Sequence, residues 1–182
     1  MRYLSIDIGI KNFAYCVLLH DDDKKISIES WGVVNVAPKD ITKPTFHETA
    51  RELVKHLKEM FTDTFDCVLI ENQPVQKNPV MKSIQIIVYT YFLTSGIHDI
   101  RFVSACNKLK LKSQPEGIDE MCTSKVKYTR NKQKSVILCR HYLMDDAVNL
   151  AKFEQNKKSP DMADAYCQGM YVLERCVQIP LK

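Results

Sequence analysis

The sequence predicts an α/β fold, a mixed five-stranded sheet flanked by helices, with residues 1–182 forming a single domain. Three observations carry that prediction. Segments of strand character come first and are then interleaved with segments of helical period, in the order strand, strand, strand, helix, strand, helix, strand, helix, helix. Three of the helical segments open at recognisable caps. The chain's 182 residues, 45% hydrophobic and 26% charged, suffice for one core of ordinary size and exclude wholesale disorder, collagen and coiled coil.

Residues 2–8 (RYLSIDI), 13–19 (FAYCVLL) and 26–36 (ISIESWGVVNV) read as strands, with the polar run Asp21 to Lys25 as the hairpin between the last two. They predict an antiparallel meander. Thr45 and Glu48 make a capping box, in which each side chain bonds the other residue's free backbone amide. Phe46, Ala50, Leu53, Val54, Leu57, Met60 and Phe61 then follow at helical spacing. The run Cys67 to Ile70, closed by Glu71-Asn72-Gln73-Pro74, is short and wholly apolar, as a strand buried on both faces should be. Asn78-Pro79 starts a second long helix and Gly96 stops it. Its apolar residues cover more than one face, so it is expected to pack on two sides, with Ile84, Val88 or Tyr91 available to a second copy of the chain. Residues 100–104 (IRFVS) give the fifth strand, and helices over about 133–148 and 160–175 complete the pattern.

Lys and Arg exceed Asp and Glu by four, a basic excess too mild to name a partner. Seven cysteines, at 16, 67, 106, 122, 139, 167 and 176, include no Cys-x-x-Cys and no Cys/His pair at zinc spacing. They read as reduced, mostly buried thiols. Arg2 and Asp7 leave no signal-peptide hydrophobic region, and the longest apolar run, Ile84 to Leu93, is interrupted and half a membrane span. A soluble, intracellular protein is expected.

Four acids stand where chemistry would need them. Asp7 ends the first strand just before Gly9, and Glu71 ends the buried fourth strand, so neighbouring strands would bring both carboxylates to one end of the sheet. Asp161 and Asp164 lie three apart in the first turn of the last helix, behind Ser159 as N-cap and Pro160 at the first helical position, and share a face. Taken singly, each has an ordinary explanation: Asp161 complements a helix dipole, and Asp7 before Gly9 is turn chemistry. Glu71 is harder to dismiss, since an ionised acid closing an apolar strand must be exposed or paired. Together, four acids from three elements suggest a hard-cation site. Oxygen donors with no His/Cys cluster favour Mg²⁺ or Mn²⁺ over zinc. Two such ions would activate a water on one side of a phosphodiester and stabilise the leaving oxygen on the other.

The segments Ser5-Ile6-Asp7-Ile8-Gly9-Ile10-Lys11-Asn12, Leu69-Ile70-Glu71-Asn72-Gln73-Pro74 and Lys158-Ser159-Pro160-Asp161-Met162-Ala163-Asp164-Ala165 resemble, in order and spacing, the RuvC-like Holliday junction resolvases. The resemblance is strongest to the branch found in poxviruses and other large DNA viruses, with mitochondrial resolvases as relatives, and runs over nearly the whole chain. It implies an RNase H-like fold, a homodimer, and paired nicking of a four-way DNA junction by two Mg²⁺ or Mn²⁺ ions per subunit, a role in recombination or in resolving replicated viral DNA. It carries Asp7, Glu71, Asp161 and Asp164 over as metal ligands one by one. The chain departs from the pattern at Pro160, where relatives often carry another acid, and in a longer stretch over 105–131.

Between Lys108 and Lys134 lie eight basic residues, Lys108, Lys110, Lys112, Lys125, Lys127, Arg130, Lys132 and Lys134, against three acids. A charge run is most often a solvated face, but beside a phosphodiesterase site it reads as a surface for the DNA backbone. In resembling resolvases a lysine near the start of the penultimate helix approaches the scissile phosphate. The position three before Val136 that would hold it is Gln133, which leaves Lys132 and Lys134 as candidates. Gln73, Gln76, Lys77 and Lys82 follow the second acidic strand and could reach DNA or form a plain polar loop. Trp31, Tyr89 and Tyr91 read as packing residues, the tyrosines as core or dimer contacts. The rival enzyme is an RNase H-fold nuclease acting on RNA or an RNA–DNA hybrid, which the four acids do not separate from a resolvase. An actin-like ATPase would need two domains and glycine-rich loops, and the chain has five glycines. A junction-binding protein with a dead site would lack a ligand, and all four acids are present.

Overall fold

A computed structural model describes residues 1–176 except Lys24, Asp40 and Lys77. The first three strands, β1 (Arg2–Asp7), β2 (Phe13–His20) and β3 (Ile26–Val34), form the expected antiparallel meander. β4 (Cys67–Asn72) then adds parallel to β1 on its other side, and β5 (Ile100–Ser104) parallel to β4, giving the order β3-β2-β1-β4-β5. A parallel neighbour needs a crossover, and the helices supply it. α1 (Phe46–Met60) joins β3 to β4, and α2 (Pro79–Thr94) joins β4 to β5.

Both sheet faces are covered, which is why β1 and β4 at the centre are near-continuous apolar runs. On one face Leu4, Ile6, Val17, Val68 and Ile70 meet Leu53 and Leu57 of α1 and Ile84, Val88 and Phe92 of α2. The other face, with Tyr3, Cys16, Leu18, Trp31 and Leu69, is covered by α3 (Lys127–Tyr142), α4 (Ala147–Gln155) and α5 (Ser159–Cys176). Cys16, Cys67, Cys122, Cys139 and Cys167 are buried, and Cys106 is exposed. Among the described residues no helix is long and apolar enough to cross a membrane.

The caps behave as their chemistry requires. Thr45 Oγ1 accepts from the Glu48 amide at 3.2 Å while Glu48 Oε2 accepts from the Thr45 amide at 2.7 Å. Asn78 Oδ1 accepts from the Met81 amide at 3.2 Å ahead of Pro79. After α2 the chain turns through Gly96 at φ +89°, with the Gly96 amide donating to the Leu93 carbonyl and the Ile97 amide to the Phe92 carbonyl, a left-handed stop that favours glycine.

Three expectations are corrected. The helix expected over about 133–148 is two: α3 starts earlier, at Lys127, and ends at Tyr142, and α4 follows. The early start was hidden because the first turn of α3 is polar and exposed and lacks a side-chain cap of its own. Ser124 Oγ takes the Val126 amide instead. The break comes where Asp146 accepts from the Asn149 amide at 3.0 Å and from its side chain at 2.7 Å, a new N-cap inside an apolar pattern that runs on unbroken. The last helix begins at Ser159 itself, one residue before the expected start, with the Met162 amide bonded to the Lys158 carbonyl. On α2, Ile84 and Val88 are fully buried against the sheet, Tyr91 is half-buried, and the large apolar residues facing outward are Val80, Ile86 and Leu93.

Candidate active site

β1 and β4 are parallel neighbours in register, Ile6 opposite Ile70, so their next residues, Asp7 and Glu71, leave the same end of the sheet side by side. Just beyond Asp7 the chain turns too tightly for a side chain at Gly9, where a Cβ would lie 2.5 Å from the Asn12 carbonyl oxygen. From the opposite layer α5 delivers Asp161 and Asp164, one turn apart on one face, to the same place. What holds α5 in this position is the buried amide of Gln168, one turn past Asp164. Its Nε2 donates to Ser5 Oγ at 3.1 Å, to the Ile6 carbonyl at 3.1 Å and to the Leu69 carbonyl at 3.3 Å. One side chain thus ties the helix to both acidic strands within two residues of their acids.

Two lysines enter the cluster. Lys108, on the single 3₁₀ turn Asn107–Leu109 after β5, sets Nζ 3.0 Å from Glu71 Oε1 and 2.9 Å from Asp164 Oδ2. Lys132, on α3, sets Nζ 2.8 Å from Asp161 Oδ1 and 2.5 Å from Asp164 Oδ2. Asp164 Oδ2 therefore serves both ammonium groups. Its other oxygen, Oδ1, is buried with no hydrogen-bond partner, and the residue is 2% exposed. A cleft of about 310 Å³ opens onto Glu71 and Asp164 between the two lysines.

The electrostatics follow from crowding acids at a sheet end. Asp7 keeps some exposure as a residue, but burial of its carboxyl, then the charge of Glu71, push it well above the usual carboxylate range. Burial works against Glu71 as well, but the Lys108 charge and the hydrogen bond with Asp7 outweigh it and hold Glu71 below its ordinary value. The two carboxyls share a hydrogen bond and titrate as a pair, Asp7 shifted up and Glu71 shifted down. For Lys108 burial favours the neutral amine, yet Asp7, Asp164 and Glu71 together raise it, and Lys132 is raised against burial by Asp164, Asp7 and Asp161. Both stay charged. Gln73 Nε2 donates to Glu71 Oε2 at 2.7 Å, and its backbone amide bonds Gln85 Oε1, which also receives Lys82 Nζ at 3.3 Å.

The other basic residues are distributed more widely. Lys134 turns to Asp119 at 3.4 Å, away from the acids, and Arg130 shares that partner through its backbone oxygen at 3.0 Å. Lys110 bonds Asn107 Oδ1 at 3.3 Å and Lys112 bonds the Glu174 carbonyl at 2.5 Å. Lys125, Lys127 and Gln76 are exposed, and Lys77 lies outside the described residues. Lys108, grouped by sequence with the DNA-facing run, sits inside the acid cluster. The signal was its place just after β5, whose end Ser104 pairs with Asn72 beside Glu71. Gln168 was missed altogether, though a glutamine among apolar residues one turn after Asp164 is a buried polar group that needs partners.

The donor set suits a hard cation. Four carboxylates face two ammonium groups, all the donors are oxygen, and Asp164 Oδ1 is a buried acceptor left over. Among the described residues no three acidic, histidine or cysteine side chains form a ready-made shell about one point. The ammonium groups take up the space between them.

The family model described as Poxvirus A22 protein matches residues 1–175. The chain belongs to the poxvirus A22 protein family. Among curated relatives, this A22 family member is 37% identical over 118 residues to an uncharacterized protein of Acanthamoeba polyphaga mimivirus, covering 59% of the chain and 28% of that protein. It is 46% identical over 39 residues to the mitochondrial cruciform cutting endonuclease 1 of Schizosaccharomyces pombe, covering 21% of the chain and 15% of that enzyme. The matches thus span under a third of either relative's length. The solved fowlpox virus resolvase in complex with Holliday junction DNA superimposes with a TM-score of 0.66 at 18% identity, over 98% of this chain and 100% of that one. The yeast mitochondrial Holliday junction resolvase Ydc2 gives 0.64 at 21% identity, over 97% and 79%. RuvC of T. thermophilus with its junction substrate gives 0.57 at 12%, over 98% and 97%. The A22 family member has the RuvC-like, RNase H-like fold.

Proposed function

We propose that this protein is a divalent-metal-dependent endonuclease that resolves four-way DNA junctions by paired, symmetric nicks as a homodimer. The observation that carries this reading is the meeting of Asp7, Glu71, Asp161 and Asp164 at one sheet end, with Asp164 Oδ1 buried and unpartnered among them. Family membership and the likeness to resolvases described with junction DNA support the choice of substrate. Two Mg²⁺ ions held by the four acids, with Mn²⁺ as a substitute, would supply an activated water and charge stabilisation for the leaving oxygen. Lys132 and Lys108, freed from the acids they now pair with, place fixed positive charge at the cleft, where it stabilises negative charge developing on the phosphodiester. The basic residues of 110–134 meet the DNA backbone. Such an enzyme works where branched DNA accumulates, the site of viral DNA replication.

The test is nicking of a synthetic mobile four-way junction in Mg²⁺ or Mn²⁺. Two nicks at symmetric positions are expected, and cleavage of a linear RNA–DNA hybrid in preference to the junction would overturn the reading.

Resolution into two duplexes needs two nicks related by the junction's twofold axis, and one site per chain therefore needs two chains. The outward apolar residues of α2 are the surface for that contact, led by Ile86, 46% exposed, beside a groove shared with Val54 and Lys58 of α1. Ile86→Asp is expected to sediment as a monomer that still binds junctions but loses paired nicking. A wild-type monomer at micromolar concentration, with and without junction, would remove the dimer.

A further inference from the structure

The rim of the acidic cleft carries an aromatic ring that the protein itself does not use. Tyr128, the second residue of α3, is 72% exposed, and among the described residues it makes no hydrogen bond or ring contact. A buried tyrosine usually satisfies its hydroxyl on its own fold, whereas this ring stands in water at the mouth of a site, where it can meet what binds there. Tyr128 lines the same cleft as Glu71, Lys108 and Asp164. It lies four residues before Lys132, hence on the same helix face and about 6 Å along the axis from the lysine that touches Asp161 and Asp164. Asn131, also on the cleft, offers an amide with both donor and acceptor, and Lys127 and Arg130 stand on either side of Tyr128 in the sequence.

An exposed aromatic interleaved with cations is how proteins hold single-stranded nucleic acid, with the ring stacking a base while the cations follow the backbone. We propose that Tyr128 stacks on an unpaired or splayed base next to the phosphodiester that the acids address. The proposal rests on the nuclease reading and deepens it. At the exchange point of a four-way junction the bases flanking the crossing have lost a stacking neighbour, and Tyr128 supplies the missing face. The ring, one helical turn from the lysine that touches two of the acids, sets which phosphate is presented, so Tyr128 is a specificity-determining residue and takes no part in bond breaking.

The experiment places a fluorescent adenine analogue, whose emission reports stacking, either at the exchange point or well along one arm. Binding is followed with a chelator present so that nothing is cut. Wild-type protein is expected to change the emission at the exchange point and leave the arm probe unaltered. Tyr128→Ala should abolish that change and weaken binding about tenfold, while Tyr128→Phe keeps both, because the ring and not the hydroxyl is at work. An unchanged signal in Tyr128→Ala, or an equal loss in Tyr128→Phe, overturns the stacking role. So does a switch from dimer to monomer on sedimentation of Tyr128→Ala with its signal intact, which assigns the ring to a protein interface. Nicking of the same junction in Mg²⁺ is scored separately. Nicking by a protein whose signal ignores Tyr128 defeats only this proposal, whereas a ring-dependent signal without nicking upholds the stacking and defeats the nuclease.

Discussion

Asp164→Asn is expected to lower junction cleavage by about 10³-fold or more while leaving junction affinity close to wild type. The residue is the common point of the cluster, serving Lys108 and Lys132 through one oxygen and presenting the other, unpartnered, to the interior. Asparagine keeps the shape but loses the charge. A bound metal contributes several kcal/mol of transition-state stabilisation, and about 4 kcal/mol corresponds to 10³-fold in rate. Removing a negative charge from a DNA-facing cleft does not weaken attraction to phosphate. Single-turnover nicking in Mg²⁺ and gel-shift binding with a chelator measure the two effects separately, and cleavage within tenfold of wild type would take Asp164 out of the site. Asp7→Asn, Glu71→Gln and Asp161→Asn should move in the same direction.

Trp31→Ala is expected to cost about 3–5 kcal/mol of stability, the range for deleting a large buried aromatic. At about 2–4 °C per kcal/mol for a chain of this size, the midpoint should fall by roughly 10 °C. β3 is an edge strand, mostly half-exposed, and Trp31 is its one fully buried residue. The indole stacks on Phe153 of α4 at 5.6 Å between centroids and tilts against Tyr166 of α5 at 5.8 Å, so it fastens the edge of the sheet to the helical layer. Its Nε1 is buried without a partner. Trp31→Phe therefore removes an unsatisfied donor together with the volume and should cost well under half as much as alanine. Circular-dichroism melts and urea titrations decide the point, and an alanine variant within 1 kcal/mol of wild type would refute the packing argument.

What could be read from sequence follows from how local the signal was. The five strands, α1 and α2 were legible because each is marked within its own span, by alternation or a short apolar run, by the Thr45/Glu48 box, by Asn78-Pro79 and by Gly96. The division between α3 and α4 was not, because no Gly or Pro marks it and apolar residues continue across it. The surplus of apolar residues on α2 was visible, but the face each occupies depends on how the helix settles on β4 and β5. The four acids stood out as motifs. The partners around them did not: Lys108 reaches Glu71 only because β5 lies beside β4, and Gln168 reaches Ser5 only because α5 crosses β1. Those neighbours are properties of topology, which no window of sequence contains.

The span bridged by Gln168 has a consequence for when the protein can act. Ser5 and Gln168 are 163 residues apart in the chain, and the two aspartates of α5 meet the acids of β1 and β4 only when that helix has docked. Contacts between such distant parts form late, since closing the intervening loop must precede any reward for it. A nascent or partly unfolded chain therefore holds at most half of the acid cluster, and fraying of α5 alone is enough to dismantle it. On the nuclease reading proposed above, cutting would be confined to the fully folded molecule, and a destructive activity kept off DNA while the chain is still being made.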